Sequence, residues 1–109
     1  MNIEVEYRYR DWGNFKKYGA VVFRNKQNLT YDEVRRRALR LSADEQFIDA
    51  ARLRIPELFF TDCPFDPDLD HGMHEYCGAC ETESSSNDSA GRDISDFLIE
   101  MESLAVSQY

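Results

Sequence analysis

The chain has 109 residues, of which 42% are apolar and 13% aromatic, so it is long enough for one domain with a modest core and too apolar for a disordered chain. Its formal net charge of -8 argues against non-specific binding of the whole molecule to nucleic acid or to a membrane surface. No apolar run approaches the roughly 20 residues that span a bilayer, and the first residues lack the features of a signal peptide. We therefore expect a cytosolic protein whose three cysteines are thiols or metal ligands.

Charge is distributed unevenly along the chain. Residues 1–54 carry 12 Lys and Arg against 8 Asp and Glu, which gives a net charge of +4. Residues 55–109 carry only Arg92 against 13 Asp and Glu, which gives -12. The chain is therefore electrically bipolar, with a basic first half and an acidic second half.

The first residues predict a β-hairpin. Apolar and charged side chains alternate strictly from Ile3 to Arg10, which is typical of a half-buried strand. A short loop at residues 11–14 and a second apolar run from Tyr18 to Arg24 follow. This short spacing predicts an antiparallel pair.

A helix is predicted to begin at Thr30. Thr30 and Glu33 have the spacing of a capping box, and apolar residues recur at helical spacing as far as Leu41. A further helical turn or two is predicted within residues 43–51, and Pro56 ends any helix there.

Two more strands are predicted, at residues 58–60 and 73–81. The Ser-rich residues 84–91 predict a flexible linker, and apolar residues at helical spacing predict an amphipathic helix over residues 92–106. We thus predict an α+β fold in the order β-β-α-β-β-α, in which a small antiparallel sheet carries the helices on one face. Residues 1–83 would form the core of this single domain, and the C-terminal helix would dock on it.

All histidines and cysteines lie between positions 63 and 80. Four of the five follow one another at intervals of three residues: His71, His74, Cys77 and Cys80. Such nitrogen and sulfur ligands bind structural zinc, and Cys63 could replace one of the four. On a continuous strand, however, His74 and Cys80 would share one face while His71 and Cys77 pointed away. The alternatives are a zinc site in a tight loop, or a core that contains His74 and one cysteine while the other side chains lie on a surface loop.

No constellation of residues in this sequence is typical of an enzyme. His74-Glu75 lacks the second histidine of the His-Glu-x-x-His zinc-protease motif, and there is neither a nucleophile-elbow nor a phosphate-binding glycine pattern. Asp66, Asp68 and Asp70 alternate as in a calcium loop, but the glycine and the bidentate glutamate of such a loop do not follow in register. We predict a non-catalytic protein.

Two charged surfaces are candidates for binding. The basic run Arg35–Arg37 with Arg40 could contact phosphates or could pair with the acids of the chain, and the net charge of -8 favours pairing. The acidic second half could occupy a basic groove of another protein in place of nucleic acid, or could simply keep the protein soluble. The predicted partner-binding residues are Asp62, Asp66, Asp68, Asp70 and Glu75.

Three short motifs carry a resemblance to other proteins. Residues 7–11 read Tyr-Arg-Tyr-Arg-Asp, and residues 69–75 read Leu-Asp-His-x-x-His-Glu. The residues between them that also match are Asn14, Lys16, Tyr18 and Gly19. Over roughly residues 3–76 the chain resembles a group of small, functionally uncharacterised proteins of bacteria and their mobile elements. The resemblance implies no particular activity, and it implies that Cys77 and Cys80 are a local feature of this chain.

We therefore predict an acidic, non-catalytic protein that binds a protein partner through its second half. Its size and charge suit an inhibitor of a nucleic-acid-handling machine, of the anti-defence kind that mobile elements carry. The alternative is a small zinc-binding protein that uses the cluster of His71, His74, Cys77 and Cys80.

Overall fold

The computed structural model describes residues 1–10, 15–41, 47–58 and 74–107. Their elements are β1 (Asn2–Arg10), β2 (Lys16–Phe23), α1 (Tyr31–Leu41), β3 (Phe47–Ile48), β4 (His74–Thr82) and α2 (Ile94–Ser107). The strands form an antiparallel sheet in the order β2-β1-β4-β3, in which β1 pairs with both β2 and β4. Within these ranges, no helix is long and apolar enough to span a membrane.

The predicted α+β fold, with a small antiparallel sheet and two helices, is confirmed. The predicted set of four strands is not matched. Leu58 lies outside any strand, and residues 59–60 lie outside the described residues. Beside three long strands, the described part of the sheet contains the two-residue β3, which lies within residues 43–51, where a helical turn is predicted.

One helical turn follows β3, and it begins at Asp49, later than the sequence predicts. The carbonyl of Asp49 accepts a hydrogen bond from the N–H of Leu53 at 3.0 Å, which closes one helical turn. Arg54 has a φ of 60°, a left-handed conformation that ends a helix, and Pro56 follows shortly after. The turn is therefore too short to continue, and Phe47–Ile48 before it is free to pair with β4.

The core lies on one face of the sheet. The odd-numbered side chains of β1, from Ile3 to Tyr9, are buried there in one cluster with the apolar residues of both helices. Phe23 of β2 stacks on Phe97 of α2 with ring centroids 4.4 Å apart. The guanidinium carbon of Arg92 lies 5.2 Å from the centre of the Phe97 ring. Both helices therefore cover the face on which the odd-numbered residues of β1 lie.

Both helices begin at a capped residue. At α1 the predicted capping box is present: the Thr30 hydroxyl accepts the Glu33 N–H at 3.2 Å, and the Glu33 carboxylate accepts the Thr30 N–H at 3.0 Å. At α2 the carboxylate of Asp93 accepts the N–H of Ser95 at 3.1 Å and the N–H of Lys26 at 2.7 Å. Asp93 thus ties the start of α2 to the chain that leaves β2.

The segment 84–91, for which the composition predicts a flexible linker, is hydrogen-bonded to the sheet. Asn87 donates its backbone N–H to the Val22 carbonyl at 2.9 Å, and its side-chain oxygen accepts the Val22 N–H at 2.8 Å. Asn2 donates from its side chain to the carbonyl of Ser84 at 2.9 Å. Composition alone does not reveal these contacts, because they depend on β2 and β1 lying beside this segment.

Candidate interaction surface

The even-numbered side chains of β1 and β2 lie on the face of the sheet opposite the core, which we call the open face. Glu6, Tyr18 and Ala20 are exposed there. Together with Gly19 they line a shallow hollow of about 410 Å³. The described part of the chain therefore presents a sheet face to solvent as well as the surfaces of its helices.

Glu75, one of the predicted partner-binding residues, lies on the open face but forms ion pairs there. Its carboxylate accepts hydrogen bonds from Arg10 at 2.7 and 3.0 Å and from Arg8 at 3.3 Å, and the residue is only 8% exposed. Burial raises the pKa of Glu75, but the hydrogen bonds and charges of both arginines outweigh burial and hold the pKa below its usual value. Glu75 therefore offers a partner no free negative charge.

The same ion pair holds an exposed aromatic side chain in place. Arg8 donates from Nη1 to the hydroxyl of Tyr18 at 3.4 Å, and its guanidinium carbon lies 6.0 Å from the centre of that ring. Glu75, Arg8 and Tyr18 thus form a row across three neighbouring strands. Tyr18 is 62% exposed at the end of this row. The sequence contains the alternation that places Arg8 on this face, but the row itself depends on the pairing register.

His74, a predicted zinc ligand, is fully buried on the core face. Its Nε2 accepts a hydrogen bond from the N–H of Leu58 at 2.8 Å, and its ring lies 5.3 Å from the ring of Tyr9. Nearby, the hydroxyl of Tyr7 donates to the carbonyl of Pro56 at 2.6 Å. His74 and Tyr7 therefore fasten the segment 55–58 to the sheet, which is the core role that the sequence left open for His74.

A β-bulge separates His74 from the cysteines of β4. The register shifts between Glu6 and Tyr7, so Gly78 pairs with Glu6 whereas Tyr76 pairs with Tyr7, and Cys77 is the additional residue. An inserted residue reverses the alternation of side chains beyond it. The expectation that His74 and Cys80 share a face is therefore wrong: His74 lies in the core and Cys80 lies on the open face.

The two cysteines of β4 have the properties of ordinary thiols. Both are exposed, and the Cys80 sulfur lies 3.5 Å from a carboxylate oxygen of Glu4. Burial of the sulfur, together with neighbouring carboxylates, raises the pKa of Cys77 and of Cys80. A raised pKa disfavours the thiolate that binds metals and attacks disulfides.

The predicted zinc ligands are therefore not brought together where the structure describes them. His71 and Cys63 lie outside the described residues. Within the described ranges, no three His, Cys, Asp or Glu side chains are grouped as a metal site would require. Since the Nε2 atom of His74 already accepts a hydrogen bond, these residues provide no argument for a zinc site.

The acidic second half shields its one basic side chain. Arg92, the only Lys or Arg in residues 55–109, is 6% exposed. It donates to Asp88 at 2.8 and 2.9 Å and also to Glu100. These hydrogen bonds from Arg92 hold the pKa of Asp88 below its usual value, although burial acts in the opposite direction. Glu100 also accepts from Arg54.

Apart from Asp93, which caps α2, the remaining acids of this half fall into two groups. Asp62, Asp66, Asp68 and Asp70, all predicted to bind a partner, lie outside the described residues. Five other acids of the half are exposed: Glu57, Glu81, Glu83, Asp96 and Glu102. Among the described residues, none of these five forms an ion pair.

The arginines of α1 lie on the surface of the basic half. Arg35 and Arg36 are exposed, and Arg36 donates to the backbone carbonyl of Asp32 at 3.3 Å. Within the described ranges, no carboxylate forms an ion pair with either arginine. The predicted neutralisation of this run by acids of the chain is thus not seen at these two residues.

Comparisons with protein-family models, with curated proteins and with solved structures each found no match. The function must therefore be inferred from the chain's own residues.

Proposed function

We propose that this chain is a non-catalytic regulatory protein that binds a basic surface of a partner protein through its acidic second half. The observation that carries the proposal is the burial of Arg92 among Asp88 and Glu100. Because Arg92 is the only Lys or Arg of residues 55–109, no Lys or Arg of this half is left exposed to compensate its acids. The exposed acids of this half that form no ion pair among the described residues therefore direct an uncompensated negative charge toward an approaching partner.

The basic surface that best complements this negative charge is a groove that binds nucleic acid. Nucleic-acid-binding proteins cluster Lys and Arg to neutralise phosphates, so an acidic protein of this size could occupy the same groove and exclude the nucleic acid. Asp66, Asp68 and Asp70 lie in sequence before the exposed Glu81 and Glu83, which extend the acidic series. We infer that the partner is a nucleic-acid-handling protein and that binding inhibits it, as an anti-defence protein of a mobile element would.

The exposed arginines of α1 influence the orientation in which this protein approaches its partner. Arg35 and Arg36 are exposed positive charges on α1, which packs beside α2 and β4 of the acidic half. A basic groove repels these two arginines and attracts the exposed acids, so the partner's field favours orientations that keep the arginines away from the groove. This polarity distinguishes the proposal from a role in which the charge serves solubility alone.

Replacement of Asp66, Asp68 and Asp70 by Lys in one variant tests the proposal. The immobilised wild-type chain is expected to retain basic nucleic-acid-binding proteins from a bacterial lysate. Duplex DNA is expected to release them, since both compete for one groove. The triple variant is expected to bind each retained protein at least about tenfold more weakly, which corresponds to about 1.4 kcal/mol. Surface plasmon resonance with the purified partner measures this affinity.

The matched control removes charge from the other half. A variant that combines Arg35→Gln and Arg36→Gln is expected to bind the partner as well as the wild-type chain or more tightly. Far-UV circular dichroism checks that both variants are folded. Equal affinity of the folded triple variant and the wild-type chain would refute the acidic-surface proposal. Loss of binding only in the arginine variant would instead assign binding to α1.

A further inference from the structure

The strand β2 lies at an edge of the sheet, and the described residues cover its outer side over only part of its length. At Val22 both backbone groups bind Asn87, so they point away from β1. Because backbone groups alternate in direction along a strand, those of Lys16, Tyr18 and Ala20 also point outward. Among the described residues, none forms a backbone hydrogen bond with these three on that side.

The uncovered part of the edge carries few of the features that prevent strand pairing. Natural proteins protect such edges with charges, prolines, bulges or a covering segment. Here the covering segment stops at Val22, and the outward-pointing residues include the small Ala20 and the exposed Tyr18. Lys16, at one end, places a charge on the open face of this stretch, and the exposed Lys17 beside it places one on the opposite face. Among the described residues, none covers the segment 16–20 on this side, so it can pair with a further strand.

We propose that this segment pairs with the same segment of a second copy of the chain, in antiparallel orientation about a two-fold axis at Tyr18. The edge itself determines the register. Since Asn87 occupies Val22, the longest pairing uses the three outward residues, with Lys16 of each copy opposite Ala20 of the other. About six backbone hydrogen bonds would form, two for each residue pair, and the sheet would run through both copies.

The charges of the edge are self-complementary in this register. Glu6 lies beside Ala20 across the β1–β2 pair, and Arg10 lies beside Lys16. The pairing places Lys16 of one copy next to Ala20 of the other, with Glu6 beyond it in the same row. Because Ala20 is small, the Lys16 side chain can extend through the hollow toward the Glu6 carboxylate. Within the described part of a single chain, neither Lys16 nor Glu6 forms an ion pair.

Tyr18 occupies the centre of the proposed interface. Each Tyr18 would lie directly opposite its counterpart, and Arg8 and Glu75 already hold it in place. A side chain that is held before association loses little conformational entropy on binding. The edge belongs to the basic first half of the chain, so its pairing does not depend on the proposal for the acidic half.

Sedimentation equilibrium of the full chain over a wide concentration range tests this proposal. The buffer should contain about 0.15 M salt, where a Debye length of about 8 Å screens the net charge of the two copies. A mass of twice the chain mass is expected. Lys16→Glu places a carboxylate beside Glu6 of the other copy, and it should weaken the dimer at least about tenfold because each substitution acts twice. Glu6→Lys should have the same effect.

Two further measurements distinguish this interface from any other. An equimolar mixture of the Lys16→Glu and Glu6→Lys chains should form a dimer, because opposite charges then face each other at both ends. Ala20→Pro should abolish the dimer, since it removes an outward N–H and leaves the pairing with β1 intact. A wild-type chain that stays monomeric at every concentration would overturn the proposal. A dimer that is unaffected by all three variants would also overturn it.

Discussion

At the scale of single residues, Tyr7 and Tyr76 form a natural comparison. They pair across β1 and β4 and both are buried, but their hydroxyls differ. The Tyr7 hydroxyl donates to the carbonyl of Pro56 at 2.6 Å, whereas the Tyr76 hydroxyl is buried with no hydrogen-bond partner among the described residues. Burial raises the pKa of each to about 12. The two phenols therefore have similar environments and opposite hydrogen-bonding states.

Replacement by phenylalanine should separate these two states. Tyr7→Phe is expected to lower the free energy of unfolding by about 1–2 kcal/mol, because it leaves a carbonyl without its donor. Tyr76→Phe is expected to leave it unchanged or to raise it by up to about 1 kcal/mol, because it removes a buried hydroxyl to which the described residues offer no partner. Urea unfolding of both variants at pH 7 measures these changes. Equal losses would contradict the hydrogen-bond assignment.

Alkaline unfolding provides a control for the same pair. In the unfolded chain these phenols ionise near pH 10, while in the folded chain the pKa of each is raised to about 12. A group with a raised folded-state pKa stabilises the fold below its unfolded pKa, and this contribution is lost as the pH rises toward the folded value. Each Phe variant should therefore lose less stability than the wild-type chain between about pH 10 and pH 12.

At the scale of elements, β2 contacts the segment 55–58 where Gly19 meets Leu58, whereas Gly78 of β4 has no such neighbour among the described residues. A Cβ atom built on Gly19 would lie 2.9 Å from a methyl carbon of Leu58, whereas one on Gly78 would meet nothing within 4 Å. Gly19→Ala is therefore expected to cost about 1–3 kcal/mol of unfolding free energy through overpacking. Gly78→Ala should be neutral or stabilising by up to about 1 kcal/mol. Thermal unfolding monitored by circular dichroism compares the two variants.

A second substitution distinguishes overpacking from a general intolerance of β2. Leu58→Ala alone should be destabilising, since it removes buried methyl groups. Combined with Gly19→Ala it should cost less than the sum of the two single changes, because each relieves the defect that the other creates. Additive losses would show that Gly19 is required for a reason other than its contact with Leu58.

The elements that the sequence predicts are those with local determinants. The alternation in β1 and the Thr30–Glu33 capping box each involve residues close in sequence, and both are present in the fold. The bulge at Cys77 is different, because it exists only through the register of β1 against β4. A pattern read along one strand therefore misassigns the faces of His74 and Cys80.

The features of the candidate site likewise divide into those that the sequence predicts and those that depend on the fold. The net charge of the second half is a property of composition and can be read from the sequence. The pairing of Glu75 with Arg8 and Arg10 joins residues more than sixty positions apart, so no local pattern indicates it. Arg92 differs, because it pairs with Asp88 four residues before it and with Glu100 eight residues after it, so both of its partners lie close to it in the sequence.

At the scale of the whole molecule, the two proposals use different parts of the chain. The edge of β2 belongs to the basic half, and the acidic series belongs to the other half. If both hold, a dimer carries the acidic series twice. A partner with two suitably spaced basic grooves would then bind with an effective concentration set by that geometry. Dimer-breaking variants would weaken such a complex without changing the affinity of a single site.

The stability of the whole fold should fall in acid because two of its ion pairs depend on ionised carboxylates. Neighbouring arginines hold the pKa values of Glu75 and Asp88 below their ordinary values of 4.5 and 3.8. A carboxyl with a lowered folded-state pKa stabilises the fold above its unfolded pKa, and this contribution is lost as the pH falls through the folded value. Unfolding free energy should therefore be constant from neutral pH to about pH 5 and decrease below that.

Glu75→Gln and Asp88→Asn are each expected to make the decrease in unfolding free energy below about pH 5 less steep. Each is also expected to lower the unfolding free energy at pH 7 by about 1–3 kcal/mol. The loss at Glu75 should lie toward the lower end, because the arginines that it pairs with remain partly accessible to water. Glu102→Gln, at an exposed residue, is the matched control. It should change neither the unfolding free energy at neutral pH nor its decrease in acid. Self-repulsion among the acids predicts the opposite trend, since it weakens as they are protonated. A stability that rises from pH 7 to pH 4 would show that repulsion across the acidic half outweighs the two ion pairs.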